Sequence, residues 1–119
     1  MPDTNTPIQE LKNKIRKFTA DRDWEQFHAP KNLSISIAIE AAELMEKFQW
    51  IEVAESKDEL ERKKPEIEEE IADIGIYLLN FCSLYEIDFS EAIERKLRVN
   101  EEKYPIEKAK GQALKYKEL

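Results

Sequence analysis

The chain has 119 residues, 41% of them apolar, with 19 basic against 26 acidic side chains for a net charge of −7. That length suits one domain with one core and leaves no room for a second. The acidic balance excludes a general affinity for nucleic acid or for an anionic membrane surface. With 2 Gly in the chain and Pro at positions 2, 7, 30, 65 and 105, the expected fold class is all-α, an antiparallel helical bundle of about four main helices.

A first helix is predicted from about Thr6 to Asp21, where Ile8, Leu11, Ile15 and Phe18 recur at spacings of three and four. Asp21 to Pro30 breaks that period and reads as an ordered aromatic loop. A second helix is predicted from about Lys31 to Ile51, with Leu33, Ile37, Ala41, Leu44, Phe48 and Ile51 on one stripe. Ile35, Ile39, Ala42 and Trp50 add apolar surface on the other side. A small monomer would struggle to cover both, so an oligomer is expected. Glu52 to Lys64 is strongly charged, with Ser56 and Glu59 at capping-box spacing, and reads as a short exposed turn of helix.

Pro65 suits the first position of a third long helix, about Pro65 to Tyr85, whose buried side is predicted as Ile67, Ile71, Ile74, Leu78, Phe81 and Tyr85. A fourth helix, about Ser90 to Lys103, is introduced by Asp88 and Glu91 and carries Ala92, Ile93 and Leu97. Tyr104 and Pro105 end it. The predicted domain is 1–111, followed by a polar tail, 112–119. Cys82, the single cysteine, lies in an apolar run and reads as a reduced core thiol. The N-terminal residues lack the charged and apolar blocks of a secretion signal, and no segment approaches about 18 uninterrupted apolar residues. A cytoplasmic location is expected.

Two pairs of acids stand out: Glu40 with Glu43, and Glu70 with Asp73, each at i, i+3 inside apolar sequence. Residues three apart share a helix face, and an unpaired carboxylate is expensive to bury. Glu70, Asp73 and Tyr77 share an arc of about 60° at roughly 100° per residue. If the two helices pack antiparallel, the acids converge into an oxygen-only site that suits Mg²⁺ or Mn²⁺ and, through it, a phosphate ester or anhydride. Either pair alone is most simply a chance pattern on a solvated face, given 26 acidic residues. Together, and flanked by isoleucine, leucine and alanine, they favour a metal site. A di-iron bundle would need Glu-x-x-His on two helices, and the one histidine, His28, is not so placed.

The acids Glu40-Ala-Ala-Glu43 and Glu70-Ile-Ala-Asp73, separated by positions 44 to 69, resemble the signature of the all-α, MazG-like nucleoside triphosphate pyrophosphohydrolases. Arg22-Asp-Trp-Glu-Gln-Phe-His28, Phe48-Gln-Trp50, Ile76-Tyr-Leu78, Asn100-Glu-Glu-Lys-Tyr-Pro105 and Lys115-Tyr-Lys-Glu-Leu119 resemble the dCTP pyrophosphatase branch of that family. The likeness runs from about Ile8 to the end. It implies that Glu40, Glu43, Glu70 and Asp73 bind Mg²⁺, with Mn²⁺ as an alternative. It also implies that Trp24, Glu25, Gln26, Phe27 and His28, together with Trp50, hold the base. Tyr77 becomes a substrate contact, and Lys96 and Asn100 lie near the phosphates. One position departs: the branch often has histidine three residues before the phenylalanine of the first helix, where this chain has Ile15 before Phe18.

Outside the resemblance, Trp24, Phe27 and Trp50 have the chemistry to stack on a pyrimidine, although a lone tryptophan is more often a core or interface anchor. His28 in a loop is usually structural, yet beside two aromatic residues it could donate to a base edge. Lys31, Lys96 and Lys103 read as solvated charges, with Lys96 the best placed to touch phosphate. The expected activity is Mg²⁺-dependent cleavage of dCTP, or a modified cytosine analogue, to the monophosphate and pyrophosphate, a nucleotide-pool housecleaning reaction. A carboxylate not fully used in ligation, Glu43 or Glu69, would accept the proton of the attacking water. The resemblance implies a homotetramer built from dimers, or a dimer. The alternatives are the same chemistry on another pyrimidine nucleotide such as dUTP, and a non-catalytic acidic helical bundle that only assembles with a partner.

Overall fold

Proline marks where most of the helices begin. α1 (Ile8–Asp21) follows Pro7, α2 (Pro30–Glu46) opens on Pro30, α4 (Lys64–Leu84) carries Pro65 in its first turn, and α6 (Ile106–Ala109) follows Pro105. Early helical positions need no donated N–H, and the ring presets φ, so proline starts a helix that it would break further in. α3 (Ser56–Arg62) and α5 (Phe89–Lys103) complete the set. The computed structural model describes all 119 residues, which form helices, turns and short 3₁₀ segments with no strand, as an all-α chain requires. No helix is long and apolar enough to cross a membrane.

The chain forms two compact units, Met1–Glu86 and Ile87–Leu119. In the first, α4 is the hub against which α1, α2 and α3 pack. Its core holds Leu33, Ile67, Leu79 and Cys82, with Lys12, Thr19, Glu59 and Asn80 also buried. Burial pushes the Cys82 thiol up, with Lys12 opposing, so it stays protonated and inert at neutral pH. In the second unit, Asp88 caps α5 by accepting from the Glu91 N–H at 2.9 Å, as its spacing predicts. The polar tail folds back on the end of α5: Tyr116 packs edge-to-face on Tyr104 at 6.2 Å beneath the Lys103 ammonium at 4.8 Å.

Three local expectations change. α2 ends at Glu46 rather than Ile51, because the N–H groups of Lys47 and Phe48 bond back three residues, to Leu44 and Met45, and tighten the chain out of the helix. Ser56 and Glu59 form no capping box. A 3₁₀ turn, Val53–Glu55, already leads into α3, so the Ser56 hydroxyl donates to the Val53 carbonyl at 2.7 Å and Glu59 turns inward to pair with Arg62 and Lys63. Ile71 and Tyr85 are exposed rather than buried. A stripe identifies a side of the helix but not the level at which a neighbour reaches it. Tyr85 caps α4 and spends its hydroxyl on the His28 carbonyl at 2.7 Å.

Candidate active site

Packing of α2 on α4 brings Glu40 and Glu43 to Glu70, with carboxylate oxygens of all three within 4.8 Å of one another and each residue half-buried. Glu40 Oε2 and Glu70 Oε2 are buried without a hydrogen-bond partner. Burial, then the neighbouring Glu43 carboxyl, hold the Glu70 carboxyl above the usual carboxylate range, with Lys47 opposing. Like charges at this separation, with bare buried oxygens, are a destabilised arrangement that a cation relieves. The donors are hard carboxylate oxygens, so the residues present fit Mg²⁺ or Mn²⁺.

Asp73, the fourth predicted ligand, stands one turn beyond Glu70 and outside this triad; it lines an adjoining cavity of about 230 Å³ with Phe18, Thr19, Trp24, His28, Ile76, Tyr77 and Asn80. Glu69 is exposed on α4 and lies outside the triad too.

The end of α1 puts Trp24 in this wall. Asp23 adopts the left-handed region, φ 54°, and its N–H bonds to the Ala20 carbonyl at 3.0 Å, while the Trp24 N–H reaches back to Thr19 at 3.0 Å. This is the Schellman ending, with its usual apolar contact supplied by Trp24 packed edge-on against Phe18 at 5.6 Å. A 3₁₀ turn over Glu25–Phe27 then carries the chain to His28, which α4 holds twice. Asn80 Nδ2 meets His28 Nδ1 at 2.9 Å, and the Tyr85 hydroxyl donates to the His28 carbonyl. Arg16 clamps the same loop, donating from Nε to Glu25 Oε1 at 2.7 Å and from Nη1 to the Ser83 carbonyl at 3.3 Å.

Of the predicted substrate residues, Trp24, His28 and Tyr77 line the cavity. Glu25 is ion-paired with Arg16, and Gln26 donates to Asp23 within its own turn. Phe27 is exposed, its carbonyl accepting from Asn32 Nδ2 at 3.1 Å. Trp50 is 86% exposed in the turn after α2. Lys96 and Asn100 lie on α5 of the second unit. Sequence reasoning missed Phe18, Thr19, Ile76 and Asn80 as cavity residues. Asn80 carried a readable signal: a carboxamide inside the run Ile76-Tyr-Leu-Leu-Asn-Phe-Cys82 is as anomalous as the acids.

A family model described as MazG-like matches residues 35–119. The dCTP pyrophosphatase 1 proteins of Rattus norvegicus and Homo sapiens are each 33% identical over 114 residues, spanning 94% of this chain and 67% of theirs. The crystal structure of a pyrophosphatase from Archaeoglobus fulgidus DSM 4304 superposes with a TM-score of 0.81 at 47% identity, covering 88% of this chain and 98% of that one. With the acid pairs Glu40/Glu43 and Glu70/Asp73 on packed helices and these likenesses along nearly its whole length, the chain belongs to the MazG-like family.

Proposed function

We propose that this nucleoside triphosphate pyrophosphohydrolase cleaves dCTP to dCMP and pyrophosphate, with Mg²⁺ held by Glu40, Glu43, Glu70 and Asp73. The observation that carries the reading is the convergence of three carboxylates, two with bare buried oxygens, beside an aromatic cavity. The relatives named dCTP pyrophosphatase support the choice of base.

Bound among these carboxylates, Mg²⁺ would neutralise phosphate charge and acidify a water. The chain's own residues supply the rest. Trp24 and Phe18 present aromatic surface to the base, and Tyr77 stands one turn past Asp73 on the same face of α4. Glu43 accepts the proton of the attacking water, its position in the triad giving it the better claim than exposed Glu69. The carboxylates of the triad converge before substrate arrives, so little reorganisation is needed as charge develops.

Assembly belongs to the same reading. Ile35, Ile39 and Ile71 are 47%, 53% and 54% exposed in the single chain, apolar surface that a second copy would cover. A dimer or a tetramer of paired dimers fits, and light scattering separates them from a monomer.

Incubation with dCTP and Mg²⁺, followed by chromatography of the products, tests the activity. Formation of dCMP and pyrophosphate that stops in EDTA is expected. Release of dCDP and phosphate, or turnover unaffected by EDTA, would refute the reading.

A further inference from the structure

The buried carboxamide of Asn80 has work left to do. It is 1% exposed, lines the cavity beside Trp24, Tyr77 and Asp73, and its Oδ1 has no hydrogen-bond partner. Buried polar atoms are almost always partnered, and a bare one carries the full desolvation penalty. Its Nδ2 is committed to His28 Nδ1 at 2.9 Å, and His28 is pinned in turn by the Tyr85 hydroxyl on its carbonyl. A carboxamide whose nitrogen donates to an imidazole nitrogen presents its oxygen as an acceptor. The remaining position therefore calls for a donor from outside the chain, in a pocket walled by aromatic rings.

We propose that Asn80 is a specificity residue: its Oδ1 accepts a hydrogen bond from the exocyclic amine of a pyrimidine base, which selects cytosine over uracil and thymine. The proposal rests on the dCTP reading above and deepens it. A uracil carbonyl at the same place would set acceptor against acceptor and leave Oδ1 bare, and polar sites reject analogues lacking the matching group more strongly than apolar sites reject shape differences. The aromatic walls grip either base alike, because every base has a π-face.

The test compares kcat/KM of the full-length protein, with Mg²⁺, on dCTP, dUTP and the deoxynucleoside triphosphate of pyrimidin-2-one, which is cytosine without its exocyclic amine. The expected losses relative to dCTP are about 10- to 100-fold for pyrimidin-2-one and at least as large for dUTP. Whatever activity Asn80→Leu retains, its preference for dCTP over pyrimidin-2-one should shrink to within about threefold, because the leucine gives the exocyclic amine no acceptor. Equal turnover of dCTP and pyrimidin-2-one by the unaltered protein overturns the proposal alone and does not depend on any variant folding. Preference for dUTP overturns the assigned polarity of the amide, since it requires Asn80 to present its NH₂. Turnover of none of the three fails the dCTP reading and takes this proposal with it.

Discussion

Glu43 on α2 and Glu70 on α4 face each other with carboxylate oxygens within 4.8 Å, and burial together with the neighbouring Glu43 carboxyl raises the Glu70 carboxyl above its ordinary range. The arrangement sacrifices stability for binding, a trade expected at a functional site and nowhere else in a small helical protein.

Glu43→Gln removes one charge from the triad without changing its volume. The expected result is a kcat at least about 100-fold lower together with unchanged helix content, and a metal-free melting temperature equal to or above that of the unaltered protein. Mg²⁺ at about 100 times its dissociation constant stabilises a folded protein by about 2.7 kcal/mol. Thermal unfolding with and without Mg²⁺ should show that gain for the unaltered protein and a much smaller one for the variant. Full activity of the variant would remove the carboxylate site.

Glu59 supplies a pH signature independent of the site. Its carboxylate is held below the usual range, first by the hydrogen bond from Lys63 and then by Arg62, against the opposing effect of burial. A depressed folded value means that the stabilisation is fully present above the unfolded carboxylate range, about pH 5, and is lost as pH falls through the folded value. Glu59→Gln should flatten the acid side of a stability profile measured by urea unfolding between pH 6 and pH 3. An unchanged slope would mean that the ion pairs with Arg62 and Lys63 contribute nothing.

Trp50 is 86% exposed, so truncation costs the fold almost nothing. Trp50→Ala should leave stability within about 0.5 kcal/mol. If the indole stacks on the base, KM for dCTP rises several-fold with kcat little changed, because lost stacking is largely uniform binding. An unchanged KM assigns the indole to something other than the base.

Asp23 holds the left-handed position of the Schellman ending at φ 54°, where glycine is the usual residue. Asp23→Gly should be neutral or slightly stabilising despite the lost hydrogen bond from Gln26 to the Asp23 carboxylate, the bond to the Asp23 carbonyl being kept. Asp23→Val should cost about 1–2 kcal/mol and raise KM, since the turn it strains is the one that places Trp24. Denaturant melts and steady-state kinetics on the same preparations check both.

Much of this molecule is written locally. Helix formation depends on bonds between residues four apart and on side chains three or four apart, so the start at Pro65, the Asp88 cap and the Glu40/Glu43 pairing are all legible in the chain. Local spacing also showed that these acids share a face, and the anomaly of acids in apolar sequence pointed to a cation.

What the tertiary structure decided is everything that needs two distant segments. Glu70 joined Glu40 and Glu43 while Asp73, on the same helix face, went to the cavity wall. Asn80 met His28 across 52 positions and was left with a bare oxygen. Ile71 shared a stripe with buried Ile67 and stayed exposed. Periodicity gives each residue an angle around its own helix axis, but burial and convergence depend on which neighbour arrives at that angle and at what height. That is set by packing between helices, which no window of one helix contains.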